Sequence, residues 1–145
     1  MHPAFSVIFF TTLSGIGYGL WFFMACQALV AGTEYAKQNL IGLVIGFILV
    51  STGLLSSTMH LGKPLRAWRA FSQWRSSWLS REGVFSIACF IPALIWMAQL
   101  FLHMDFIPYS ALAILLILLS IATVICTAMI YGSLRPIPAW QHTYV

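Results

Sequence analysis

Charge is what this sequence has least of: seven Lys and Arg and three Asp and Glu among 145 residues, 7% in all, against 61% hydrophobic. A water-soluble domain of this size covers its surface with polar side chains, and ten charges are too few for that. The solvent of this chain is lipid. Cysteine is scarce and unpaired as well, with Cys26, Cys89 and Cys126 each alone in an apolar run. There is thus no C-x-x-C for zinc, an iron–sulfur cluster or a redox dithiol, and no C-x-x-C-H for covalent haem. The three read as small apolar packing residues, and no metal site is expected. A basic segment ahead of the first apolar run is also lacking, and that run, after Met1-His2-Pro3-Ala4, is too long for a signal peptide, so a retained first span is expected. The formal charge of +4 does not imply nucleic acid, because five of the seven basic residues lie between Lys63 and Arg81 instead of covering a face with stacking aromatics.

What is there is a set of long uncharged runs. About 20 apolar residues cross the roughly 30 Å hydrocarbon layer as a helix, and runs of that order occupy residues 5–31, 39–59, 83–102 and 109–131. Strands would need period-two alternation and a closed barrel, and these segments lack the alternation. The expected fold is an all-α membrane protein, one domain of four transmembrane helices in an up-down bundle, with a basic loop over residues 60–82. Short polar turns around Glu34 and Lys37 and around Asp105 make consecutive helices antiparallel neighbours. Pro92 removes a backbone donor from the third span and predicts a bend. Gly15 and Gly19, and likewise Gly42 and Gly46, are four apart, a spacing that lets helix backbones approach closely. The basic loop and Arg135 fall on one side of the membrane and Glu34, Lys37 and Asp105 on the other, so the positive-inside rule places both termini in the cytoplasm.

The loop carries the candidate chemistry. Gly62 and Pro64 stop the second helix just after His60, which puts the imidazole at the membrane boundary, the depth of a quinone ring whose tail stays in lipid. Ser80 is the expected N-cap of the third helix, with Glu82 in its first turn favoured by the helix dipole. Antiparallel packing brings the His60 end and the Glu82 end together. A His and a carboxylate can take protons from a hydroxyl and release them to water, as quinol oxidation requires. Each also has a plainer reading: His60 as a helix-end residue, Glu82 as a dipole partner or as an ion pair with Arg81. Lys63, Arg66, Trp68, Arg69, Arg75 and Arg81 form the candidate surface for a partner subunit, since Arg and Trp are enriched at interface hot spots. They also serve to set topology and to contact lipid headgroups.

Several spaced segments share a resemblance. The opening His2-Pro3-Ala4-Phe5, the His60-Leu61-Gly62-Lys63-Pro64 turn with Arg66-Ala67-Trp68, the Ser77-Trp78-Leu79-Ser80-Arg81-Glu82 entry, and Met129-Ile130-Tyr131 with Leu134-Arg135 and Ala139-Trp140 together resemble the DmsC family. Its members are membrane anchor subunits of dimethyl sulfoxide reductase and related molybdopterin enzymes. The resemblance implies a bacterial inner-membrane subunit that holds a molybdopterin catalytic subunit and an iron–sulfur electron-transfer subunit. It further implies electron exchange with menaquinone or ubiquinone as substrate, with no redox cofactor and no catalytic residue in this chain. The family's quinol-binding His and acid correspond to His60 and Glu82. Family members usually have about twice as many membrane helices, so this sequence is expected to correspond to the N-terminal half.

Three other readings stay open at this level. A haem-bearing membrane cytochrome needs two His facing each other within the helices, whereas His2, His60, His103 and His142 all fall at or outside the helix ends. A transporter half would show charged positions at mid-depth, and only Pro92 interrupts a span there. A purely structural anchor without a quinone site is the third alternative.

Overall fold

A computed structural model describes residues 3–59 and 64–133. Its long helices are α1 (Pro3–Ala31), α3 (Leu40–Met59), α4 (Trp78–Leu102) and α5 (Tyr109–Gly132), with a short α2 (Thr33–Lys37) in the first turn and a 3-10 helix (Pro64–Gln73) in the basic loop. All four long helices are long and apolar enough to cross a membrane, and no strand occurs among the described residues. The protein is an all-α, multi-pass membrane protein. In hydrocarbon each backbone N–H and C=O must be satisfied within its own segment, which is why continuous apolar sequence becomes continuous helix.

The helices form an up-down ring. α1 packs most broadly on α3 and α4 on α5, α1 and α5 join the two pairs, and the α3–α4 side is the loosest. The α1–α3 seam is tight because glycines remove the side chains that would separate the backbones. A Cβ on Gly17 would lie 2.6 Å from the Val50 side chain and 3.1 Å from the Gly46 carbonyl oxygen. The expected pair Gly15 and Gly19 flanks this position and meets nothing within 4 Å, so the seam runs through the glycine between them. Hydropathy cannot show this, since all three glycines are equally compatible with lipid. Gly42 and Gly46 do serve the seam, by receiving the Met24 and Trp21 side chains. The buried Trp21 indole there donates to the Leu43 carbonyl at 3.2 Å.

α4 begins earlier than its apolar run. Ser77, in extended conformation, is the N-cap and accepts from the Ser80 amide at 3.5 Å, so Ser80 is not the cap but a buried residue of the first turn. The helix includes the charged pair Arg81 and Glu82 because both find partners. Arg81 reaches back to the carbonyls of Trp74 at 2.9 Å and Arg75 at 2.7 Å, which leaves Glu82 free to turn inward. Glu82 therefore lies in the second turn, not the first. α4 continues through Pro92 to a left-handed cap at His103.

The end of the bundle that carries the two short turns is closed by hydrogen bonds. Buried Gln99 donates to the Ile107 carbonyl and accepts from the Ile107 amide, both at 3.0 Å. Trp96 Nε1 donates to the Ala36 carbonyl at 3.3 Å, Tyr109 donates to Asp105 at 2.6 Å, and Lys37 pairs with Asp105 at 3.8 Å.

Candidate functional site

The other end of the bundle is built differently. Glu82 is only 3% exposed, and among the described residues no Lys or Arg makes an ion pair with it. Its Oε1 is hydrogen-bonded to Thr127 Oγ1 of α5, whose single proton is shared between the carboxyl and the Thr123 carbonyl, 3.0 Å away. A carboxyl group inside a membrane span is costly and is found where it is paired or used. Here a single neutral hydroxyl is its only hydrogen-bond partner among the described residues, and space remains beside it.

That space is two cavities with Glu82 in the wall between them. The first, of about 180 Å³, lies on the loose α3–α4 side and is lined by Phe10, Leu54, Ser57, Phe71, Glu82 and Ser86 among others. The second, of about 200 Å³, is lined by Val7, Phe10, Ser57, Glu82, Thr127 and Tyr131 among others. Phe71 belongs to the loop helix, and its ring lies 3.0 Å from where a Cβ of Gly83 would stand. The absent side chain lets the loop settle on α4 directly over the carboxyl. Larger depressions occur elsewhere, one of about 430 Å³ beside Lys37 and Asp105 and one of about 550 Å³ on the outer face beside Trp74 and Trp78. Neither contains a buried acid.

Of the residues singled out in the sequence, Glu82 lines both small cavities, while Arg75 and Arg81 line the larger outer depression. His60 and Lys63 lie outside the described residues, and Arg66 lies in the loop helix. Trp68 and Arg69 are exposed, with the guanidinium 5.6 Å from the indole centre. Arg75 sits 6.0 Å from the exposed Trp74 ring and Arg81 4.3 Å from Trp78. The loop thus presents cations stacked on aromatics, an arrangement that holds both groups at the surface. No ion pair joins Arg81 to Glu82.

The sequence reading passed over Thr127, Ser57, Ser86, Phe71 and Tyr131. A signal for some of them was present: Ser120, Thr123 and Thr127 recur on one face of the otherwise apolar α5, and Glu82, Ser86 and Cys89 do so on α4. Polar residues at helical spacing within a membrane span face protein or water in preference to lipid.

Comparison with known families matches residues 1–145 to the DMSO reductase anchor subunit, DmsC. The chain belongs to the DmsC family. It is 38% identical to one subunit of the sulfite dehydrogenase of Allochromatium vinosum over an alignment of 161 positions, which covers 97% of this chain and 48% of that protein. It is 34% identical to the integral membrane subunit of menaquinone reductase from Nitratidesulfovibrio vulgaris over 96 positions, covering 54% of this chain and 22% of that protein. The chain therefore spans about half the length of the first of these relatives and less of the second. No solved structure matches. DmsC membership places the chain in a family of membrane anchor subunits.

Proposed function

We propose that this DmsC-family chain is the quinone-handling anchor of a molybdopterin oxidoreductase complex. In this reading a hydroquinone enters from the lipid to the Glu82 end, loses two electrons and two protons, and leaves as the quinone. The protons pass to Glu82 and then to water; the electrons pass to an iron–sulfur subunit docked on the basic loop. The reverse direction uses the same groups. The observation that carries the reading is the buried Glu82, held among the described residues by Thr127 alone and bordered by two small cavities. A carboxyl group so placed is reachable by a ring from the lipid and is suited to proton transfer.

Menaquinone and ubiquinone are both candidate substrates, and the similarity to a menaquinone reductase subunit favours the first. His60 is proposed as a second proton-transfer group at the same end. The exposed loop, with Trp68, Arg69, Trp74 and Arg75, is proposed as the docking surface, together with Lys63, Arg66 and Arg81. Because the loop helix rests on Gly83 through Phe71, an iron–sulfur subunit docked there would stand next to the cavity, a short path for electrons. The molybdopterin subunit and its terminal substrate lie beyond that partner. The charge bias of the loop favours the bacterial inner membrane with the loop and both termini in the cytoplasm.

The test is Glu82→Gln in the whole complex, which keeps the size of the side chain and its hydrogen bond to Thr127 but cannot take a proton. Quinol-dependent turnover should collapse while the complex stays assembled and active with artificial dyes. Near-normal quinol turnover would leave a purely structural anchor. Replacing Arg66 and Arg69 by Ala should release the partner subunits from membranes; subunits that stay bound in fractionation would make the loop a topology signal only.

A further inference from the structure

Ser86 lies one helical turn beyond Glu82 on the same face of α4, is 1% exposed, and lines the 180 Å³ cavity. Its hydroxyl has no hydrogen-bond partner among the described residues. Hydroxyls elsewhere in the spans, at Thr11, Ser14, Thr52, Thr123 and Thr127, donate to the carbonyl one turn back, the usual solution for a helical Ser or Thr. Ser86 and Ser120 do not take it, and of the two it is Ser86 that shares a cavity with Glu82. The Tyr18 hydroxyl faces Ser86 from α1, near enough for a weak interaction, and neither hydroxyl makes a hydrogen bond of normal geometry among the described residues. A buried hydroxyl left unpaired in a membrane interior is costly unless something completes it.

We propose that Ser86 Oγ holds the second oxygen of a para-dioxygenated aromatic ring, a quinone or hydroquinone head, whose first oxygen is held by Glu82. Side chains four apart on a helix stand roughly 5–6 Å apart at Cβ, close to the distance between two oxygens on opposite sides of a six-membered ring. The ring would lie along α4 with Phe10, Leu54 and Phe71 as its apolar walls. A cavity of about 180 Å³ is below the roughly 300 Å³ at which pockets for drug-sized ligands begin. It suits a ring head whose tail stays outside, and Leu79 and Ile87, which also line it, are both more than half exposed and mark the way out to lipid. Both polar groups can reverse roles: a hydroxyl accepts from a hydroquinone and donates to a quinone, and so does a carboxyl that gains or loses its proton.

This assignment rests on the quinone reading of Glu82, and the test separates the two. In the complete membrane-bound complex, Ser86→Thr and Ser86→Val have the same shape and differ only in the hydroxyl. With menadiol as donor, Ser86→Val should raise KM by about tenfold, the loss of one hydrogen bond to a ligand. Ser86→Thr should stay near wild type, with dye-linked activity unchanged in both. Equal KM values for Thr and Val, beside a collapse in Glu82→Gln, would overturn the role of Ser86 and leave the site at Glu82 standing. Normal menadiol turnover in all three variants would overturn both. If Val and Thr lose assembly, Ser86→Ala against Ser86→Cys gives the same comparison at smaller volume, with the larger KM expected for Ala.

Discussion

The two ends of this bundle solve the same problem in opposite ways. At the end with the short turns, Gln99, Trp96, Tyr109 and Asp105 close on backbone and on one another, and the buried amide nitrogen of Asn39 is the one side-chain group there left without a partner among the described residues. At the loop end, among the described residues, a buried carboxyl has one neutral hydroxyl partner and two cavities, and the hydroxyl of Ser86 has none. Matched polar groups rigidify a membrane bundle; unmatched ones destabilise it and persist where they meet something from outside. The contrast is the reason for proposing the loop end as the site and the other end as scaffold.

The comparison can be broken by exchanging the consequences of mutation between the two ends. The largest effect is expected from Glu82→Gln: quinol turnover lower by about 10² to 10⁴, with thermal stability in detergent unchanged or slightly raised. A marked loss of stability in that variant would make Glu82 a structural group. Next comes Gly17→Leu in the seam between α1 and α3, where overpacking against Val50 and the Gly46 backbone should cost about 3 kcal/mol in a denaturation assay and lower the yield of folded protein. Gln99→Leu should cost about 2 kcal/mol, because the amide and carbonyl of Ile107 lose their partner. Its KM for quinol should not move, and a raised KM would mean that the two ends are coupled. The smallest effect belongs to Lys37→Ala, which removes an exposed pair at 3.8 Å worth less than about 1 kcal/mol. Stability within error of wild type is the expected reading.

The spans were legible in the sequence because crossing hydrocarbon demands length and apolarity, which composition displays directly. Their faces were not. A helix surrounded by lipid and by other apolar helices shows similar side chains all round, so periodicity fails to say which glycine meets a neighbour, and Gly17 was indistinguishable from Gly15 and Gly19. The cap of α4 was placed at Ser80 instead of Ser77 because either serine suits the position by type, and only the fold-back that satisfies Arg81 with two carbonyls shows that the helix starts a turn earlier. Glu82 could be picked out as the lone acid near the basic loop, but its depth could not, since depth follows from a helix that begins at Trp78. Thr127 and Ser86 escaped because a hydroxyl in an apolar span ordinarily bonds its own helix, and only coordinates distinguish the one that does from the one that does not.

The broad packing of α1 on α3 and of α4 on α5 bears on how the protein is made. Each pair is a hairpin of helices consecutive in the chain, apart from the short α2, so each can settle in the bilayer as a finished unit before the two meet. Glu82 and Thr127 belong to the same hairpin. The acid thus acquires its partner while the second hairpin is still alone in the membrane, and does not wait exposed to lipid for the first. Phe10, Leu54 and Ser57 come from the other hairpin, so the cavities around the acid come into being only when the hairpins join. Biogenesis then orders itself: the acid is paired first, and the cavities that border it close around it last.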